Sequence, residues 1–148
     1  MKRRASKVIS VGGVNIGGAG PIVVQSMTKT DTRDVKATVK QIRQLEDCGC
    51  EIVRIAVPDM DAARAIVDIK KKTSIPVIAD IHFDYRLALE SLKSGADGLR
   101  LNPGNISDPE HIAKVVRAAK AREVPIRIGV NAGSLPKSSK KKASVVER

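Results

Sequence analysis

The feature that most constrains this chain is a rhythm. Short apolar runs alternate with segments whose apolar residues recur every three or four positions. Ile22-Val23-Val24 opens it, and residues 22–25 read as a first buried strand. Val35, Val39, Ile42 and Leu45 then fall at helical spacing, with residues from Asp31 to Asp34 as cap candidates and Gly49 as the stop. The alternation continues as strand 51–57, helix 60–71, strand 75–80, helix 85–93, strand 98–101, helix 109–121 and strand 125–130. Pro109 falls at a first-turn position, where a helix tolerates proline best. Five strands and four helices at this spacing imply parallel βαβ units. The strands lack clean polar alternation, as expected when both sheet faces are covered. Ahead of the rhythm, Val8, Val11, Val14 and Ile16 around Gly12-Gly13 predict a short hairpin over residues 7–16.

Two parallel architectures fit such a repeat, the doubly wound sheet and the (β/α)₈ barrel. No dinucleotide fingerprint follows the first strand, and the repeat is monotonous, which favours the barrel. Gly17-Gly18-Ala19-Gly20 has neither GxGxxG nor Walker spacing and precedes a strand, so it reads as a turn. A whole barrel takes about 250 residues, and this chain has 148. The expected fold class is therefore α/β, a partial TIM-type (β/α)₈ barrel with about five parallel strands and four helices behind an N-terminal hairpin. Residues 1–135 are expected to form the N-terminal part of the barrel, and 136–148 a basic tail.

Composition narrows the partners. The net charge is +11, but eight of those charges sit in residues 1–10 and 137–148, which leaves the middle nearly balanced. Basic ends can bind nucleic acid through counterion release. Single-strand binding also needs stacking platforms, and Phe83 and Tyr85 are the only aromatic residues, so nucleic acid is not the expected partner. No apolar run approaches a membrane span, and the two cysteines, Cys48 and Cys50, cannot build a disulfide scaffold. A cytoplasmic location is expected. A Cys-x-Cys pair is too close for typical zinc or thioredoxin spacing, so buried packing is the expectation there.

The chemistry lies in the strands. Val53-Arg54-Ile55, Leu99-Arg100-Leu101 and Ile126-Arg127-Ile128 each place a guanidinium inside an apolar run. Such a charge is costly unless it is paired. Side chains alternate along a strand, so Arg54, Asp80, His82, Arg100, Asn102, Arg127 and Asn131 share one face. Ile55, Val57, Leu101, Ile128 and Val130 are then expected outward, beneath the helices. In a barrel the polar face lies at the carboxyl ends of the strands, where active sites form. Three arginines against one aspartate leave positive charge for an anion, and guanidinium forks match phosphate oxygens. Arg54, Arg100, Asn102, Arg127 and Asn131 are the expected substrate-binding residues. Asp80 and His82 are the catalytic candidates, His82 because its ordinary pKa lies near neutrality; a structural histidine beside Asp80 is the alternative. Two ligands do not make a metal site, and none is expected in this chain. Gln25-Ser26-Met27-Thr28 either lines the same mouth or forms a turn, and Asn102-Pro103-Gly104-Asn105 either cradles phosphate or is a turn. His111 is expected on the surface of the fourth helix.

With these residues assembled, the chain resembles the amino-terminal part of the hydroxymethylbutenyl diphosphate synthases, iron–sulfur enzymes of the methylerythritol phosphate route to isoprenoids. The resemblance is carried by Pro21 to Thr28 (PIVVQSMT) with Thr30-Asp31-Thr32, and by Glu51 to Val57 (EIVRIAV). Ala79 to Asp84 (ADIHFD), Leu99 to Asn105 (LRLNPGN) and Arg127 to Leu135 (RIGVNAGSL) continue it in order. It implies a barrel that binds methylerythritol cyclodiphosphate at its mouth, with Arg54, Arg100 and Arg127 matching diphosphate-binding arginines. Asp80, His82, Asn102 and Asn131 match polar residues of the substrate site. It further implies reductive ring opening fed by a [4Fe–4S] cluster on a separate carboxy-terminal domain, ferredoxin or flavodoxin as electron donor, and a homodimer at full length.

The same resemblance marks a departure. After Leu135 the chain runs through Pro136 and a lysine-rich stretch to Arg148, without the rest of the barrel or the cluster ligands of the family, and Cys48 and Cys50 do not match those ligands. The expectation is a chain that alone neither holds the cluster nor catalyses the reaction. The competing expectation is a phosphate-ligand binding module without redox activity.

Overall fold

A computed structural model describes residues 4–130. Asn131, the end of the expected barrel segment at 135 and the basic tail therefore lie outside the described residues. The chain begins with a hairpin of β1 (Ile9–Val11) and β2 (Val14–Ile16), paired antiparallel with Val11 opposite Val14. That register leaves two residues for the turn, and both are glycines at positive φ, +54° at Gly12 and +91° at Gly13, as a tight hairpin turn demands.

Five parallel strands follow: β3 (Gln25–Met27), β4 (Ile52–Val57), β5 (Val77–Ile81), β6 (Gly98–Leu101) and β7 (Ile126–Ile128). Their spatial order is their chain order. A doubly wound sheet reverses direction partway across, whereas a barrel wall does not. Between them lie α1 (Val35–Asp47), α2 (Met60–Lys70), α3 (Tyr85–Lys93) and α4 (Pro109–Lys120), each packed against the next. The helices thus form one layer on one face of the sheet.

Each helix begins on an aspartate whose carboxylate accepts a backbone N–H of the first turn: Asp34 from Ala37, Asp59 from Ala62, Asp84 from Arg86, and Asp108 from Glu110 and His111. These caps satisfy amides that the helix itself leaves open. The outward side chains of the central strands make the main core. Val53, Ile55, Val57, Val77, Ala79, Ile81, Leu99 and Leu101 pack under Ile42, Ile66, Ile69, Leu92 and Val115.

The inner face is layered. At the amino ends of the strands, Val11 of the hairpin packs on Ile52 and Ile78, with Val14, Ile16 and Val23 around them. The hairpin therefore stoppers the bottom of the sheet, and the polar residues lie one step further along each strand.

Two expectations are corrected. The first strand is not buried at residues 22–25: Ile22 and Val24 are exposed at 80% and 52%, and the paired residues are Gln25–Met27. Pro21 has no N–H to give a ladder, and the Val24 amide donates to the Glu51 side chain at 2.8 Å instead of to a strand. Ile128 and Val130 are also exposed, because no described helix follows β7 to cover them.

Candidate functional site

Register brings the polar residues together. Ala56, Asp80, Arg100 and Arg127 are successive Cα partners across β4, β5, β6 and β7. Arg54 lies one inward position earlier on β4, opposite Met27 of β3. Cα partners in a parallel ladder point to the same face, so the parity read from sequence holds here.

Asp80 is 4% exposed and stands between two arginines. Its Oδ1 accepts from Arg100 Nη1 at 3.0 Å, and its Oδ2 lies 3.3 Å from Arg54 Nε. Arg100 Nη2 donates to the Gly129 carbonyl at 3.0 Å. Gly129 has to be glycine for this contact, since a Cβ there would stand 2.7 Å from Arg100 Nε. Arg54 turns Nε and Nη2 onto the Met27 sulfur, each at 3.3 Å. Arg127 is exposed and forms no ion pair with a described residue. One carboxylate thus faces two shielded guanidiniums with a third beside them. The cluster keeps excess positive charge, and an oxyanion is the ligand that would balance it.

The other expected residues are placed less directly. His82 lies just past the end of β5, half-buried, with its ring edge-on to Phe83 at 6.3 Å. Among the described residues no ion pair joins it to Asp80. Asn102 is 2% exposed, its Oδ1 accepts the Gly104 amide at 3.1 Å, and its carbonyl accepts the Asn105 and Ile106 amides. That is the geometry of a turn after β6. His111 is not a lone surface residue: its ring stacks on Tyr85 at 3.8 Å. Sequence reading puts Gly129 on the arginine face and Met27 in a stretch that either lines the mouth or turns, but it does not pair the Gly129 carbonyl with Arg100 or the Met27 sulfur with Arg54. The signal available for both was position alone, two places along from Arg127 and level with Arg54.

Below the arginines lies an apolar cavity of about 290 Å³ between the hairpin and the sheet, reached by Gln25 and Arg127. Its walls include Val11, Ile16, Ile78 and Gly98. The hairpin thus closes the lower end with hydrocarbon, and the charged groups sit above it.

The described cysteines are not placed as cluster ligands. Cys50 is buried and donates its thiol to the Ile52 carbonyl, whereas Cys48 is exposed. Among the described residues no group of three or more His, Cys, Asp or Glu side chains converges to hold a metal ion. No described helix is long and apolar enough to cross a membrane.

Comparison with known proteins follows the same lines. A family profile described as the GcpE TIM-barrel domain matches residues 6–147. The chain is similar to proteins named 4-hydroxy-3-methylbut-2-en-1-yl diphosphate synthase (flavodoxin). One is from Dehalococcoides mccartyi, 61% identical over 146 residues, covering 99% of this chain and 42% of the relative. Another is from Thermodesulfovibrio yellowstonii, 63% identical over 137 residues, covering 93% and 39%. The chain therefore spans about two fifths of the length of these curated relatives. Among solved structures, a mandelate oxidase superimposes with a TM-score of 0.54 at 11% identity, over 90% of this chain and 66% of that one. At that identity the likeness speaks for the barrel fold alone.

Proposed function

The chain belongs to the GcpE TIM-barrel family, and on that premise we propose that its arginine row is the diphosphate-binding part of a 4-hydroxy-3-methylbut-2-en-1-yl diphosphate synthase. One observation carries the reading. Asp80 holds Arg54 and Arg100 side by side on the inner face of β4 and β6, and Arg127 stands next in register without a described acidic partner. The substrate under this reading is a cyclic diphosphate, methylerythritol cyclodiphosphate.

In that role Asp80 aligns two guanidiniums without neutralising them both. Arg100 keeps one hydrogen on each terminal nitrogen beyond those given to Asp80 and Gly129, and Arg54 keeps the edge now resting on sulfur. Arg127 adds a charge that has no acidic partner among the described residues. The shielded position of Asp80 and Arg100 strengthens these contacts relative to water. Asn102 shapes the turn that borders the row, and His82 stands at its rim as a proton carrier for the bound ligand. The described residues do not fit a [4Fe–4S] cluster: Cys48 is exposed, Cys50 is buried, and no group of three or more possible ligands converges among them. Under this reading the cluster that supplies electrons for ring opening is held by the length the relatives have and this chain does not cover. Flavodoxin, which the relatives' names carry, is the proposed donor to that whole protein. Residues 4–130 form the first part of its barrel.

Calorimetric titration with methylerythritol cyclodiphosphate tests the assignment, on this chain and on a full-length relative. Arg100→Ala is expected to lose most of the affinity. Unchanged binding after that substitution would remove the arginine row as the site.

A further inference from the structure

The two shielded arginines are not held alike. Arg100 gives Nη1 and Nη2 to oxygen acceptors, the Asp80 carboxylate and the Gly129 carbonyl, both at 3.0 Å. Arg54 gives its side-on edge, Nε with Nη2, to the single sulfur of Met27 at 3.3 Å. The same Nε lies 3.3 Å from Asp80 Oδ2 as an ion pair, while the hydrogen bonds of that edge go to the sulfur. A thioether is a weak, neutral acceptor. The edge of a guanidinium that best matches two phosphate or carboxylate oxygens is thus occupied by a group that yields it easily.

We propose that Met27 is a positioning residue that keeps the side-on fork of Arg54 open for an oxyanion, holding the guanidinium in its binding pose until ligand oxygens displace the sulfur. The proposal rests on the arginine row being the anion site. Three features support it. Met27 and Arg54 are Cα partners on β3 and β4, so the contact is built into the sheet register and not left to a mobile loop. Arg54 retains 23% side-chain exposure, so the fork is reachable, whereas Asp80 at 5% is closed off. The methionine side chain is unbranched with three rotatable bonds, so it can swing aside without moving the strand. A carboxamide in its place would offer an oxygen acceptor and compete with the ligand. A leucine would fill similar volume and compete with nothing.

The test is inorganic pyrophosphate titrated calorimetrically into the 148-residue chain and into Met27→Leu, Met27→Gln and Arg54→Ala. The Arg54 Nε–H resonance is followed by ¹⁵N spectroscopy alongside. Met27→Leu is expected to bind within about threefold of the parent, and Met27→Gln about tenfold or more weaker. The Arg54 resonance should move on adding pyrophosphate to the parent, and should already be displaced in the ligand-free Gln variant. If Gln binds like the parent while Arg54→Ala does not bind, Met27 has no such role and the site reading stands. If Leu loses as much affinity as Arg54→Ala, Met27 is needed for structure only and the proposal falls. A parent chain that ignores pyrophosphate overturns both readings together. Should the Gln variant fail to fold, the Leu result and the parent's Arg54 resonance decide the matter alone.

Discussion

Asp80 and Arg100 are Cα partners on neighbouring parallel strands, and Arg100 Nη1 donates to Asp80 Oδ1 at 3.0 Å with both side chains largely shut away from water. The same carboxylate also faces Arg54. Removing its charge therefore leaves two guanidiniums beside each other with no counter-ion between them. Asp80→Asn keeps the shape and should lower stability by about 3 kcal/mol, as breaking a shielded ion pair does. Pyrophosphate should restore part of that loss, because a ligand bound only to the folded state stabilises by mass action. Urea denaturation with and without pyrophosphate checks both halves. A variant as stable as the parent would mean the arginines do not depend on Asp80.

Gly129 controls Arg100 from the other side. Its carbonyl accepts Nη2, and its missing Cβ leaves room for Nε. Gly129→Ala puts a methyl 2.7 Å from that nitrogen, so the guanidinium has to move. The expected result is a chain that still folds but binds pyrophosphate about tenfold more weakly. Equal affinity in a calorimetric titration would show that Arg100 tolerates the shift.

Much of this cluster was legible from residue parity, because a strand alternates faces and Arg54, Asp80 and Arg100 all fall within strands. Parity is least informative where the strands stop. The alternation puts His82 on the Asp80 face, but β5 ends at Ile81, so no ladder fixes His82, whose ring lies edge-on to Phe83 with centroids 6.3 Å apart. At the other end, Ile22-Val23-Val24 has strand composition, yet the ladder starts only at Gln25. Composition does not reveal that the Glu51 carboxylate captures the Val24 amide from across the gap. Parity also identifies a face without identifying a rotamer. That Arg54 rests on sulfur and Arg100 on a carbonyl depends on side-chain torsions no spacing encodes.

The hairpin stopper makes a separate prediction. Gly12 sits at φ +54°, and a Cβ there would lie 2.8 Å from Pro76 Cβ and 2.9 Å from Asp97 Cγ. Asp97 is itself anchored by Lys70 and by the Val77 amide, so it cannot easily give way. Gly12→Ala should lift Val11 off Ile52 and Ile78 and cost about 2 kcal/mol, from strained backbone and lost packing together. Gly13 has open space around it, so Gly13→Ala should cost only the backbone term. Comparing the two variants by urea denaturation separates contact from conformation. Equal losses would show that the tip does not press on Pro76 and Asp97.

Acid should weaken the fold through its capping and loop aspartates. The Arg86 side chain, hydrogen-bonded to Asp84 and helped by the Arg86 amide, holds that carboxyl below its ordinary value of 3.8. At the start of α4 the His111 and Glu110 amides do the same for Asp108, and the Arg33 side chain lowers Asp31 to about 2. A carboxyl whose folded pKa is depressed contributes stability in full above its unfolded value and loses it as pH falls through the folded one. For Asp31 that window runs from 3.8 down to about 2, and Asp84 and Asp108 lose their contributions in the same direction. None of these groups should change stability near neutrality. Asp84→Asn separates charge from cap, since asparagine caps a helix about as well as aspartate. Its urea midpoint near neutrality should fall slightly, through loss of the Arg86 ion pair. Its further decline between about pH 4.5 and about pH 2.5 should be shallower than the parent's, because one of the titrating groups is gone. Parallel declines for parent and variant would show that Asp84 does not contribute to the acid limb.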